Sequence, residues 1–256
     1  MARLQGKVAI ITGGSGGIGR HTAGVMLEEG ASVVLVDLDQ GSLDDAVGAL
    51  AGKGNVLAVQ ADVTCEEDVQ RYVSETLGRF GRIDVFFNNA GIEGKVAPLV
   101  EQSTADFDKV IAVNVRGVFL GMKHVLPVMM KARAGSVINT SSVAGLSGSA
   151  GLSPYVTSKH AVVGMTKCAA LEAAAFSVRV NSVHPSPVNT RMMRSLEAGL
   201  NPRDAGSAKT ALEKSIPLGR YGESDDVARL VLFLASDDSA FITGAQYRVD
   251  GGMGAL

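Results

Sequence analysis

Short apolar runs and longer segments with apolar residues at helical spacing alternate along this chain from one end to the other. Runs rich in β-branched residues at 8–12, 32–36, 56–60, 83–88, 136–140, 178–183 and 246–249 read as seven strands. Amphipathic segments at 18–29, 66–78, 104–132, 154–175 and 224–235 read as helices between them. Such alternation implies βαβ units, and hence an α/β fold with a parallel, doubly wound sheet covered by helices on both faces. The runs from Val8 to Ile11 and from Val33 to Val36 have no polar face, as strands buried between two helix layers require. No linker breaks the pattern, so a single domain over 1–256 is expected. The one long stretch without a strand, 185–223, carries Met192, Met193, Leu196 and Leu200 among Gly, Pro and charged residues. A connection of that length in a compact domain is usually functional, and a substrate lid over about 186–223 is expected.

Composition narrows the partners. With 24 Lys and Arg against 26 Asp and Glu, scattered rather than clustered, the formal charge of −2 argues against nucleic acid or an anionic membrane as a partner. A small, neutral or mildly charged molecule is the expected substrate. Cys65 and Cys168 form no pair at metal-binding spacing and read as reduced thiols. His21, His124, His160 and His184 likewise show no metal spacing and read as structural or surface residues, so no metal is expected. No apolar run has the length to span a bilayer, and a cytoplasmic protein is expected.

Candidate chemistry begins directly after the first strand, with Thr12-Gly13-Gly14-Ser15-Gly16-Gly17-Ile18-Gly19 opening a helix. Glycines there let the backbone approach a pyrophosphate, and the helix N–H groups would face it; a Gly-rich turn without ligand is the plainer alternative. The setting between strand and helix is the one a Rossmann-type dinucleotide site requires. Asp37 ends the second strand about 20 residues on, where a carboxylate accepts hydrogen bonds from adenosine ribose hydroxyls. Its charge would repel a 2′-phosphate, and no Arg or Lys stands at Ser15, Gly16 or Leu38 to hold one, so NAD is expected over NADP. Further along, Tyr155 and Lys159 are spaced i, i+4 near a helix start and share one face. A neighbouring ammonium would favour the phenolate and lower the cost of taking a proton from an alcohol. Ser142 follows a strand, where turn-making is the likelier explanation of an isolated serine. Asn114, amid an apolar helical segment, is costly to bury unless its amide is bonded. A serine-hydrolase reading fails for want of a Gly-x-Ser-x-Gly elbow.

The loop from Thr12 to Gly19, then Asn88-Asn89-Ala90-Gly91, Tyr155-Val156-Thr157-Ser158-Lys159 and the ending Val249-Asp250-Gly251-Gly252 together resemble the short-chain dehydrogenase/reductase family over essentially the whole chain. The stretch from Phe86 to Lys95 resembles its levodione-reductase-type members, which act on cyclic ketones. The resemblance implies hydride exchange between NAD(H) and a secondary alcohol or ketone, with Asn114, Ser142, Tyr155 and Lys159 as the catalytic set. In it Tyr155 is the acid/base, Lys159 also bonds the nicotinamide ribose, and Asn114 holds a water that links Lys159 to solvent. Asp62 and Val63 would meet adenine, and Asn88, Ala90 and Gly91 would line the cofactor. Asn89 is either a cofactor contact or a structural residue at the strand end.

The family pattern of Pro-Gly after the sixth strand is broken here, where His184-Pro185-Ser186-Pro187 stands. If position 186 needs a positive φ, serine is strained there and the loop takes another path. Pro185 and Val188 would still border the nicotinamide, and Thr190 its carboxamide. Glu93, Leu146, Ser147, Leu152, Met192, Met193 and Leu196 are candidates for the substrate pocket, the methionines equally for ordinary packing. The resemblance also implies a homotetramer, formed through the helices at 104–132 and 154–175 and the last strand. Two rival functions are a 3-oxoacyl thioester reductase, against which Asp37 counts, and a non-catalytic dinucleotide-sensing or scaffold protein. A sensor has no need of the complete catalytic set.

Overall fold

The computed structural model describes residues 2–255; Met1 and Leu256, the two ends of the expected domain, lie outside the described residues. All seven expected strands form: β1 Val8–Thr12, β2 Ser32–Asp37, β3 Val56–Gln60, β4 Val85–Asn88, β5 Gly135–Thr140, β6 Val178–Pro185 and β7 Gln246–Val249. They make one parallel sheet in the order β3-β2-β1-β4-β5-β6-β7. The order reverses between β1 and β4, and in such sheets the crevice at the carboxyl ends of these two strands is where ligands bind.

Nine helices form among the described residues: α1 Gly17–Glu28, α2 Gln40–Ala49, α3 Glu66–Phe80, α4 Thr104–Ile111, α5 Gly117–Ala132, α6 Ser153–Ala173, α7 Arg191–Leu200, α8 Ala205–Lys214 and α9 Ser224–Ala235. The strands are apolar on both faces because successive side chains feed two separate cores. Ile10, Phe86 and Val137 point to one face, where Val118, Val125 and Met129 of α5 and Val162 of α6 meet them. Ile11, Phe87 and Ile138, one residue further on, point to the other, against Met26 of α1, Leu43 of α2 and Val231 of α9.

The segment expected as one helix over 104–132 is helical throughout but carries a π turn at Ala112–Arg116 between α4 and α5. By length and composition this run could cross a membrane; half of its most apolar window is buried inside the molecule. The 186–223 stretch holds no strand, as expected, yet α7 and α8 fold within it. On α7 the residues Met193, Leu196 and Glu197 are buried, at i, i+3 and i+4. Met193 and Leu196 join Ile216 and Tyr221 in a small third core, with Val96, Leu152, Leu212 and Met253 packed against it.

Candidate active site

At the switch point, β1 runs into the glycine loop, and three glycines there are dictated by close approach. Gly13 has φ +63°, and a Cβ on it would lie 3.1 Å from the Ala90 backbone. A Cβ on Gly19 would lie 2.2 Å from the Gly13 carbonyl oxygen, so α1 can pack onto the loop only without one. A Cβ on Gly17 would meet the Thr190 methyl at 3.2 Å. No side chain caps the start of α1, and no acidic residue occupies its first turn. Its first N–H groups, at Gly17, Ile18 and Gly19, and the positive end of its dipole therefore remain available to an anion.

Thr12 and Asn89 fasten this end of the sheet. The Thr12 hydroxyl oxygen accepts from the N–H groups of Asn89 at 2.9 Å and Ala90 at 3.0 Å. The Asn89 amide donates to the Thr12 carbonyl at 3.1 Å, and its oxygen accepts from the Thr140 hydroxyl at 3.2 Å. Of the two readings left open for Asn89, the structural one accounts for its side chain. Asn88 turns away from the crevice and donates to the Val118 carbonyl at 3.0 Å, so its side chain does not line a cofactor groove.

Asp37 stands at the end of β2 without an ion-pair partner among the described residues. One carboxylate oxygen accepts from the Ser15 N–H at 3.0 Å and from the Ser15 hydroxyl; the other accepts from Leu38 N–H at 2.8 Å. The carboxylate thus ties the glycine loop to β2, and its second oxygen keeps capacity for a further donor. Leu38 is exposed beside it. Asp62 accepts from Thr64 in the turn before α3, and Val63 packs against Gly117 of α5.

Across the crevice, α6 begins with Pro154 in its first turn and presents Tyr155 and Lys159 on one face. The Lys159 ammonium is buried, lies 5.5 Å from the Tyr155 ring centroid and donates to the Thr140 carbonyl at 2.9 Å. Burial pulls its pKa down to about 8. Burial pushes the Tyr155 phenol up to about 12; the neighbouring Ser142 hydroxyl works in the opposite direction, and the charge of Glu93 adds to the rise. The expected lowering of the phenol by Lys159 is not what dominates here: desolvation does, and it raises the phenol.

Ser142 is extended at φ −168°, and its hydroxyl oxygen accepts from Ala144 N–H at 3.2 Å and lies 3.4 Å from the Pro185 carbonyl. The adjacent Ser141 instead donates to the Lys159 carbonyl at 2.9 Å, fastening the turn to α6, so of the two serines only Ser142 meets Tyr155.

Asn114 lies in the π turn, fully buried, and is bonded twice to one residue of the β4 loop. Its oxygen accepts from Ile92 N–H at 2.8 Å, and its amide donates to the Ile92 carbonyl at 2.8 Å and to the Ser158 hydroxyl at 3.0 Å. Both amide hydrogens are thereby engaged, leaving one oxygen lone pair for the expected water. π turns commonly mark functional positions, and this one turns Asn114 onto the loop that carries Gly91 and Glu93.

Comparison with known proteins accords with this geometry. Residues 13–254 match a family model described as Enoyl-(Acyl carrier protein) reductase. Levodione reductase of Leifsonia aquatica is 41% identical over 99% of this chain and 96% of its own length. The chain belongs to the short-chain dehydrogenase/reductase family. A 3-oxoacyl-(acyl-carrier-protein) reductase of Thermotoga maritima is 42% identical over 98% of this chain and 99% of its own. A cyclohexanol dehydrogenase of Acinetobacter sp. strain SE19 is 38% identical over 97% and 95%. Among solved structures, a levodione reductase superposes with TM-score 0.98 at 40% identity, covering 99% of this chain and 100% of that one. An NAD+-bound xylitol dehydrogenase superposes with TM-score 0.94 at 34% identity, covering 98% and 100%. Enzymes of this family are oxidoreductases that use a nicotinamide dinucleotide.

In this dehydrogenase/reductase the departure at Ser186 proves harmless. Ser186 has no positive φ, and its N–H donates to the Val249 carbonyl at 3.1 Å, continuing the β6–β7 pairing. The expected strain is absent because no left-handed residue is used there. Beyond it, Val188 pairs with Gly222 and Thr190 reaches the glycine loop, so the segment after β6 lies against the start of α1.

The substrate candidates separate into two groups. Glu93 stands close enough to Tyr155 to bias its ionisation, and Met192, Leu146 and Leu152 are half-buried. Met193 and Leu196 are buried in the small third core, and exposed Ser147 donates to the Val143 carbonyl, so these three serve local packing and a turn. Sequence reasoning gave no role of their own to Thr12 and Ser158, although both stand in motifs it singled out, and it read His184 as structural or surface.

Proposed function

We propose that this enzyme interconverts a small cyclic secondary alcohol and its ketone with NAD(H), Tyr155 serving as acid and base. The observation that carries this reading is the meeting of Ser142, Tyr155 and Lys159 across the crevice from an uncapped helix start and an unpaired Asp37. Similarity to levodione reductase and cyclohexanol dehydrogenase supports the cyclic substrate, and the NAD+-bound xylitol dehydrogenase supports the cofactor.

The residues fit a dinucleotide: glycines clear the backbone where a Cβ would obstruct, and the α1 N–H groups lack other partners. Gly13, Ser15, Gly16, Gly17, Ile18 and Gly19 would hold its pyrophosphate side, Asp37 and Leu38 its adenosine ribose, and Asp62 and Val63 its adenine. Ala90, Gly91, Tyr155, Lys159, Pro185, Val188 and Thr190 would hold the nicotinamide half. When bound, the dinucleotide donates or accepts the hydride. In reduction the protonated phenol of Tyr155 gives its proton to the nascent alkoxide while Ser142 steadies the oxygen. In oxidation the reverse transfer requires Tyr155 as its phenolate, and Lys159 supplies the positive charge beside the ring that favours that form. Asn114 holds the Ile92 loop, and through it Glu93, against the site. The 186–223 stretch, with α7 and α8, serves as the lid.

The test is turnover with NADH and NADPH separately, against cyclic ketones, acyclic ketones and a 3-oxoacyl thioester. NADPH-dependent thioester reduction would favour the second reading, a thioester reductase, which the 42% identical Thermotoga maritima enzyme supports. Asp37→Ala should narrow the NADH-over-NADPH preference in kcat/KM by about tenfold, since the charge that repels a 2′-phosphate is gone; an unchanged ratio assigns the preference to another group.

The pH dependence follows from the two shifts. Tyr155, pushed up to about 12, stays protonated through the neutral range and can act as an acid there. Lys159, pulled down to about 8, loses its ammonium as pH rises through that value. The kcat/KM of ketone reduction should hold level up to about pH 8 and fall above it. A profile that stays flat through pH ~10 would show that the ammonium is not needed.

Self-association into a homotetramer is part of the same proposal, supported by exposed Phe107, Phe119 and Leu171 on α4, α5 and α6. Light scattering on the eluted protein would return a monomer mass if it is wrong.

A further inference from the structure

His184, on β6, is wholly buried beside the reacting groups and takes no part in the proton transfer described above. Its Nδ1 lies 2.8 Å from the main-chain carbonyl oxygen of Ser142, and its Nε2 lies 2.8 Å from the hydroxyl of Ser182. A carbonyl oxygen only accepts, so Nδ1 carries the hydrogen and donates it. Desolvation, helped by the charges of Arg248 and Lys159, holds the imidazole below its ordinary pKa against the opposing bond to the Ser142 carbonyl. With one hydrogen on the ring, Nε2 is an acceptor, and the Ser182 hydroxyl donates to it. Every polar atom of the ring is thereby satisfied, and its tautomer is fixed by its surroundings.

The carbonyl that His184 holds belongs to the residue whose hydroxyl meets Tyr155. Ser142 sits where β5 gives way to the short turn Val143–Gly145, a point at which sheet pairing no longer holds the main chain. The Ser142 hydroxyl oxygen is held by Ala144 N–H, while its carbonyl accepts from the imidazole and, within the turn, from Gly145 N–H at 2.9 Å. Pro185, the next residue of β6, places its own carbonyl 3.4 Å from the Ser142 hydroxyl. Consecutive residues of one strand therefore bracket the serine.

We propose that His184 is a positioning residue, whose Nδ1–H holds the Ser142 main chain so that the serine hydroxyl faces Tyr155 and the substrate oxygen. This rests on the function proposed above for Ser142 and Tyr155. The two ring nitrogens can be separated by substitution. In His184→Asn the amide nitrogen stands near Nδ1 and keeps the donor to Ser142. In His184→Gln the amide reaches the Nε2 position, keeps a partner for Ser182 and withdraws the donor.

The experiment measures kcat, KM, NADH affinity and thermal unfolding for both variants on cyclohexanone, with Tyr155→Phe as reference, and solves both crystal structures. The expected result is a kcat about 100-fold below wild type for His184→Gln and rescue to within about fivefold by His184→Asn, since small misplacements of a reacting group have effects of that size. NADH affinity and melting temperature should match between the variants, and the Ser142 carbonyl should be turned only in the Gln crystal. Equal kcat in the two folded variants, retained or lost, overturns the proposal, as does an unmoved Ser142 in His184→Gln. Should the Gln variant not fold, a folded Asn variant as inactive as Tyr155→Phe overturns it, and a rescued one supports it. If wild type and Tyr155→Phe turn over equally, the acid/base reading falls, and the Ser142 carbonyl in the two crystals still decides whether His184 holds it.

Discussion

Tyr155→Phe is expected to lower kcat for ketone reduction by about 10²–10⁴-fold, the usual worth of a positioned general acid. The aromatic ring stays, so the packing around α6 and the place of Lys159 survive; only the hydroxyl goes. In the parent that hydroxyl carries its proton across the neutral range because burial pushes its pKa up to about 12. Ser142 alone remains near the substrate oxygen in the variant, and it can orient that oxygen but has no charged partner from which to replace the proton. NADH affinity should change by less than about threefold, because the glycine loop and Asp37 lie across the crevice. Steady-state rates on cyclohexanone and a fluorescence titration with NADH read the two halves separately. Substantial residual turnover would remove Tyr155 from the role.

A second large effect is expected at Gly19→Ala. In an ordinary helix interior this substitution stabilises by roughly 1 kcal/mol. Here the new Cβ would lie 2.2 Å from the Gly13 carbonyl oxygen, which is main chain and cannot rotate aside. Either α1 moves off the sheet or the loop is pushed into the groove, at a net cost of about 1–3 kcal/mol. Because the same loop would receive the pyrophosphate, NADH affinity should fall by about tenfold or more. A thermal melt together with the NADH titration tests both effects, and a variant with unchanged melting temperature and affinity would mean that the loop is far softer than its packing implies.

Legibility in the sequence followed locality. The strands, the glycine loop and the Tyr155–Lys159 pair could be read because each is specified by spacing within a few residues. Helix α2 escaped because only Leu43 and Ala46 of its ten residues are buried, too few for a helical stripe to stand out. The π turn at Asn114 escaped because the partner its side chain meets there, the Ile92 main chain, lies 22 residues earlier in the chain. His184 escaped for the same reason: its partner Ser142 is 42 residues away, and nothing near His184 reveals which carbonyl will face it. The sign of the Tyr155 shift depended on burial, which the i, i+4 spacing does not report.

The strand order has a consequence for how the chain reaches this state. The central pairing Ala9↔Val85 joins residues 76 positions apart, whereas β1 meets β2 after only 24, as in Val8↔Ser32. During synthesis the first two strands can therefore associate well before β4 has emerged. Until it does, one edge of β1, a strand whose five residues are all buried in the finished sheet, stays without its partner. An unpaired apolar edge of this kind templates intermolecular pairing, so a nascent or truncated chain ending before Val85 is the species most prone to aggregate.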